Sequence, residues 1–242
     1  MKKISTLFIL NLLLIGGLFG CGGTTPEPAE ETSASEEVTE TDVAAREATE
    51  ETVEAEATTE ETEGAAPEEG WKKFEGGGAS IWLPASYDGG VPSEDMDFIA
   101  TRIREINPDF EQIATMIEQN PDMFSLLAFD SEIGEQPFLT NINIISEALP
   151  SSLNIETYLN ITKQQLPPQF NIVEEEFIEI NSKPAVRLLI ELEMAGSLVK
   201  EAVYIVRGDN RAWVITCATG QADFETRYPT FEKMAKSFEI QS

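Results

Sequence analysis

The apolar positions in the last third of the chain fall into four runs: Phe170 to Ile180, Ala185 to Met194, Leu198 to Arg207 and Arg211 to Ala218. Short polar stretches divide them: Asn181-Ser182-Lys183, Ala195-Gly196-Ser197 and Gly208-Asp209-Asn210. Strands joined this closely pair antiparallel, so the spacing predicts a meander. In the second run Val186, Leu188, Ile190, Leu192 and Met194 alternate with Ala185, Arg187, Leu189, Glu191 and Glu193, which makes one face core. The third and fourth runs are apolar on both faces, as in Val203-Tyr204-Ile205-Val206, and predict cover on both sides. A final helix over about 222–237 supplies one cover through Phe224, Tyr228, Phe231, Met234, Ala235 and Phe238. Pro229 is expected to kink this helix or split it in two.

Upstream, Trp71 to Phe74 and Ala79 to Leu83 read as two short strands around Gly76-Gly77-Gly78. Ser93 stands as the cap of a helix that runs to about Ile106, with Met96, Ile99, Ile103 and Ile106 at helical spacing. Asn107-Pro108 restarts it, and Phe110, Ile113, Ala114 and Ile117 form the next stripe, which stops near Asn120-Pro121. Met123 to Phe129 and Leu139 to Ser146 read as strands. A third helix, roughly 153–165, follows Pro150-Ser151-Ser152. The sum is an α+β fold: a mostly antiparallel sheet with helices on both faces, an α/β/α sandwich.

The beginning of the chain carries a different pattern. Met1-Lys2-Lys3 precedes an apolar stretch from Ile4 to Phe19, then Gly20 and Cys21, the layout of a secretory signal. The stretch is interrupted by Ser5, Thr6, Asn11, Gly16 and Gly17 and falls short of the ~20 apolar residues that span a bilayer. A cysteine at the cut resembles the bacterial lipoprotein signal, in which the cysteine becomes a lipidated N-terminus. Leu18 and Gly20 fit that pattern, and Phe19 is bulkier than its usual second residue. The resemblance implies a signal peptide over 1–20, lipid attachment at Cys21 and an extracytoplasmic domain anchored to the cell membrane. An uncleaved anchor is the other reading, and both place the domain outside the cytoplasm.

Charge then divides the rest. The chain carries 44 acidic and 16 basic residues, net −28. Residues 22–70 hold 17 acids, one base (Arg46) and no aromatic, with Val38, Val43 and Val53 as the only large apolar side chains. Such a segment cannot bury enough apolar surface to offset the entropy of ordering it. Residues 21–70 are therefore expected to be a disordered acidic tether, and 71–242 the globular domain. The domain has 27 acids against 13 bases, which leaves no basic footprint for a nucleic acid. Cys21 and Cys217 are the only cysteines, and Cys217 lies in the apolar run Trp213-Val214-Ile215-Thr216-Cys217-Ala218 as a small hydrophobe.

The domain resembles the PsbP-like fold shared by the photosystem extrinsic subunit PsbP and bacterial lipoprotein families such as DcrB and LpqN. An early strand ends in Pro, here Ser80-Ile81-Trp82-Leu83-Pro84. A helix precedes the meander with its Lys183-Pro184-Ala185 turn, and a closing helix ends in Ser237-Phe238. Asn181-Ser182 stands where the family usually has Asn-Gly. The resemblance implies a non-enzymatic, membrane-peripheral interaction module, and it brings no functional residue with it.

The chain contains no histidine, which removes Ser-His-Asp and Cys-His arrangements and the commonest metal ligand. Gly76-Gly77-Gly78 lacks the Lys and spacing of a phosphate-binding loop. Glu174-Glu175-Glu176 is the densest acidic cluster of the domain. On a strand Glu174 and Glu176 share a face and Glu175 opposes them, which reads as a solvated edge, with a weak calcium contact as the alternative. Asp95 and Asp97 suit a helix start. Trp71, beside Lys72 and Lys73 where the tether ends, either packs on the first strand or meets a partner.

These features converge on a lipoprotein with no catalytic residue, no cofactor and no metal. Its partners are the membrane, through Cys21, and a protein of the envelope; Trp71, Lys72 and Lys73 are the candidate partner contact. The alternative is a small-molecule or metal-ion (for example calcium) binding protein, with a cleft between the sheet and the first two helices.

Overall fold

Two strands at the centre of the main sheet, β8 (Ser197–Arg207) and β9 (Arg211–Gly220), bury side chains on both faces. In the computed structural model, which describes residues 66–135, 138–194 and 197–241, everything else is arranged around them. The expected signal over 1–20, Cys21 and the acidic stretch up to residue 65 lie outside the described residues.

Strands β3 (Tyr87–Gly90), β4 (Leu126–Asp130), β5 (Asn141–Ala148), β6 (Asn171–Ile180) and β7 (Lys183–Met194) complete the main sheet. Its order is β3-β4-β5-β9-β8-β7-β6, and every pairing is antiparallel. A three-stranded sheet, β1 (Lys72–Gly76), β2 (Ala79–Leu83) and β10 (Glu239–Ile240), stands apart from it with β2 in the middle. The helices are α1 (Pro92–Ile106), α2 (Glu111–Gln119), α3 (Ile155–Gln165) and α4 (Gln221–Lys236).

Strand alternation sorts the main sheet's side chains into two cores. Val186, Leu188, Ile190 and Leu192 of β7, Val203 and Ile205 of β8 and Val214 of β9 face α1, α2 and α3, where Ile99, Ile103, Ile117, Tyr158 and Leu159 meet them. Ala202, Tyr204 and Val206 of β8 with Trp213, Ile215 and Cys217 of β9 face the other way. There they pack against Phe224, Phe231 and Met234 of α4 and Ile81 and Leu83 of the small sheet. The α+β class and the antiparallel meander are as the pattern predicts. The small sheet sharing the second face with α4 is an addition.

Local capping differs from expectation at two helices. The cap of α1 is Val91 rather than Ser93, with Pro92 in the first turn, and the Asp95 carboxylate accepts from the Val91 N–H at 2.9 Å. The cap of α3 is Asn154, whose side chain accepts from the Thr157 N–H at 2.9 Å. The first helix thus starts two residues before its expected cap and the third two residues after, and each start satisfies a main-chain N–H with a side-chain oxygen. Asn107 does cap as expected, but Pro108–Phe110 that follows is a 3-10 turn before α2. Met123 belongs to a second 3-10 turn, Pro121–Met123, so β4 starts at Leu126. Strand β3 escapes the hydrophobic pattern because half of it is glycine. A Cβ on Gly89 would lie 2.2 Å from the Leu127 carbonyl oxygen, so only glycine lets β3 approach β4.

Pro229 does not split α4, which is one element from Gln221 to Lys236. Pro229 and Glu225, whose carbonyl loses its intrahelical donor, are both exposed, so the missing hydrogen bond lies on the solvent side of the helix, where it costs least.

The β6–β7 turn is a two-residue connection, Asn181 (φ 47°) and Ser182 (φ 58°), with both residues in the left-handed region. That is the twist a hairpin needs. Asn181 donates its side-chain amide to the Phe238 carbonyl at 2.7 Å and ties the turn to the end of the chain's last helix. Ser182 has no such compensation for a conformation that costs a non-glycine residue ~1 kcal/mol. Ser182→Gly is expected to raise unfolding free energy by about 0.5–1 kcal/mol, read from the urea midpoint at unchanged m-value.

Candidate functional site

Helix α4 lies across the second face with Arg227 pointing toward the end of β4. Its guanidinium is ion-paired through Nη1 with the Asp130 carboxylate, which is 3% exposed, and donates through Nη2 to the Glu132 carbonyl at 2.8 Å. The buried Tyr87 ring stands beside them. Burial and then the Asp130 carboxylate push its phenol well above the ordinary range. Asp223, at the start of α4, accepts from the Glu135 N–H at 2.9 Å. Between these groups opens a cleft of about 430 Å³, edged by Ser86, Glu132, Glu135, Thr226 and Thr230. The buried carboxylate is answered by the guanidinium, so the site is arranged as a structural clamp with a polar mouth.

The predicted contact residues part company. Trp71 is half-buried against the second core, and its N–H reaches the Glu68 carbonyl at 3.4 Å. Lys72 donates to the Tyr87 carbonyl at 2.8 Å and sits 3.8 Å from Asp88. Lys73 pairs with Glu75 at 2.9 Å and stands directly opposite Trp82. Trp82 is half-buried, while Trp213 is core at 3% exposure. Trp82 edges a second cleft, about 270 Å³, together with Pro67, Asn181, Lys233 and Lys236. Lys233 is ion-paired with Glu68. Lys236 is exposed and makes no ion pair among the described residues. More than 150 residues separate Trp82 from Lys236, so no local signal could have joined them.

The acidic cluster is arranged as the strand period requires. Glu174 and Glu176 share one face of β6, and both pair with Nη2 of Arg187, Glu176 at 2.7 Å. Arg187 also donates to Glu232 of α4 at 3.1 Å. Glu175 points to the opposite face and pairs with Lys163 of α3 at 2.6 Å. The cluster's oxygens thus already have cations from two other elements. Asp95 serves the start of α1, as its position suggests.

Cys217 is fully buried, and burial pushes its thiol far up, which suppresses the thiolate and leaves a packing residue. Glu201 is a residue that no sequence pattern singles out. It lies on β8 between Ile190 of β7 and Ala218 of β9, on the face covered by α1 to α3, and is 4% exposed. Its Oε2 meets no hydrogen-bond partner among the described residues. Burial alone lifts its carboxyl from the usual 4.5 to about 8. In the next row of the same face lie Thr216 and Asn143, and two strands away in its own row is Asn141, whose Oδ1 is also without a partner.

Where α1 and α2 meet the sheet, Ile99, Ile103, Ala114 and Ile117 pack with Leu127 and Phe129 into one core, and both clefts just described lie on the opposite face. Among the described residues no cluster of three or more His, Cys, Asp or Glu is placed to hold a metal. No helix of the described residues is long and apolar enough to cross a membrane.

No protein-family model and no curated protein matches the chain. Solved structures resemble it at low identity. The solution structure of cyanobacterial PsbP from Synechocystis superposes with a TM-score of 0.46 at 10% identity, covering 71% of this chain and 92% of that one. LpqN of Mycobacterium tuberculosis, involved in cell envelope biogenesis, gives 0.42 at 12%, covering 52% and 75%. The immunity protein TplEi of Pseudomonas aeruginosa, solved with a peptide, gives 0.36 at 9%, covering 72% and 99%. The α+β class stands on the strand order itself.

The titration of Glu201 has a definite sign. A native carboxyl raised above its unfolded value favours the fold at low pH, and that advantage disappears as pH climbs from about 4.5 to about 8. Glu201→Gln should therefore gain stability relative to wild type across that window, by up to ~5 kcal/mol at its upper end, and match it below the window. Paired urea unfolding curves at several pH values measure the difference; a constant difference would remove the buried-acid account.

Proposed function

We propose that this chain is a membrane-anchored extracytoplasmic lipoprotein whose folded domain is a non-enzymatic interaction module for another component of the cell envelope. The observation that carries the reading is Cys21, one glycine behind a basic start and a 16-residue apolar stretch. The acidic segment that follows would hold the domain on a self-repelling tether, on the order of 40 Å or more from the lipid. Tethering raises the domain's effective concentration near membrane-bound partners.

The domain's own chemistry supports binding over catalysis. Its prominent carboxylates are spent on ion pairs: Asp130 with Arg227, Glu174 and Glu176 with Arg187, and Glu175 with Lys163. Glu201 is buried beside Ile190 and Ala218, and among the described residues no charged group shifts it. The contact surface of this reading starts at Trp71, Lys72 and Lys73. Trp71 packs on the second core, Lys72 stays exposed while it holds the Tyr87 carbonyl, and Lys73, Trp82 and Lys236 extend the surface.

In cells fed labelled palmitate, wild type is expected to incorporate label and fractionate with membranes. Cys21→Ser should lose the label and leave the membrane fraction or accumulate uncleaved. Equal labelling of both would overturn the lipoprotein reading.

A second reading, a small-molecule or calcium-binding protein, draws on the polar mouth of the cleft beside Arg227, with Glu132, Glu135 and Asp223 at its rim. Calcium titration separates the two. The interaction-module reading expects an unchanged melting temperature, and the second expects a rise that Asp223→Asn reduces.

A further inference from the structure

Strand β6 ends the main sheet. Its inner edge pairs with β7 in unbroken register from Glu174 to Ile180, beyond a register shift between Ile172 and Glu174, and among the described residues no main-chain hydrogen bond reaches its outer edge. Ten residues of unpaired strand are a template for another extended chain. The side chains along it say which kind of chain.

The two-residue turn makes Ile180 and Lys183 the hydrogen-bonded pair that closes the hairpin. Main-chain groups alternate inward and outward along an antiparallel pair, so those of Glu176 and Ile178 address β7. Those of Glu175, Phe177 and Glu179 point away from the sheet. The same three residues send their side chains to the face covered by α3, since Glu175 and Phe177 stand opposite Leu188 and Val186 of the first core. Phe177 is 51% exposed, an aromatic ring left open between Glu179, which has no ion pair among the described residues, and Glu175, whose Oε2 is already held by Lys163.

We propose that the outer edge of β6 is a docking strand for an extended basic segment of another protein, read as basic–x–apolar–x–basic. Residues opposite Glu175 and Glu179 would be lysine or arginine, and the residue opposite Phe177 would be apolar. Charge selects this occupant over a second copy of the chain. Antiparallel self-pairing centred on Phe177 sets Glu175 against Glu179 twice, with like charges directly opposed. The glutamates thus reject self-association and acidic strands and admit a basic one. The inference is read from β6 alone and goes beyond the lipid-anchored reading, whose failure at Cys21 would leave it standing.

The test uses the full-length chain and the synthetic peptide acetyl-Thr-Lys-Thr-Val-Thr-Lys-Thr-amide, with a counterpart carrying Glu in place of Lys. Amide exchange should slow at Glu175, Phe177 and Glu179 with the lysine peptide, stay unchanged at Ile178 and Ile180, and show no effect with the glutamate peptide. Phe177→Pro, which loses no bond to β7, should abolish the protection. If that variant does not fold, Glu179→Lys serves, and is expected to weaken the lysine peptide about fivefold. Absent protection at saturating peptide, equal binding of both peptides, or an unchanged affinity in Glu179→Lys would overturn the proposal. So would concentration-dependent protection of the same amides without peptide, which would identify a second copy as the occupant.

Discussion

Burial of both faces of β8 and β9 is the constraint on which the remaining structure depends. A strand with Val203 and Ile205 on one side and Tyr204 and Val206 on the other has no face to give to water. Two layers must cover it, and the chain provides them from different places. The first comes from α1, α2 and α3, the second from α4 together with β2. The second layer joins the end of the chain to the beginning of the domain. Ile240 pairs with Ala79, the Ser237 hydroxyl accepts from the Trp82 N–H at 2.9 Å, and Asn181 holds the Phe238 carbonyl. Loss of α4 would therefore expose a sheet face and free the first hairpin at once.

Electrostatics follow from the same arrangement. A domain with twice as many acids as bases must place its cations where they neutralise most, and the arginines do so. Arg187 gathers Glu174, Glu176 and Glu232 from two elements, and Arg104 binds Glu111 and Glu118, joining α1 to α2. Forked guanidinium geometry suits this bridging better than a lysine would. The acids left without such cover lie on the surface, where they keep the domain soluble and repel its own kind. Glu201 differs, a fully buried carboxyl with no cation beside it among the described residues, and burial holds it neutral over most of the physiological range.

The meander was legible because its periodicity is local. Val186, Leu188, Ile190 and Leu192 announce a face by themselves, and the turns between the runs contain the right residues. Capping was less legible, since Ser93, Ser151 and Ser152 compete with Val91 and Asn154 as helix starts, and only the approach of the chain decides among them. Strand β3 was hidden because Gly89 and Gly90 carry no hydrophobic signal. Of the candidate contact residues, Lys72 is tied to the Tyr87 carbonyl, a partner that belongs to β3 and so could not be foreseen.

What the sequence determined alone was the class of fold, through alternation and turn chemistry, and the division of charge between the acidic segment and the domain. Both are properties of residues close together in the chain. Tertiary structure decided the rest: that Asp130 finds Arg227, that Trp82 and not Trp71 faces outward beside Lys236, that Glu201 is sealed in, and that β6 stands at an edge. Each depends on strand order and on which layer covers which face. That order is fixed by packing between residues far apart in the chain, where no local pattern carries information.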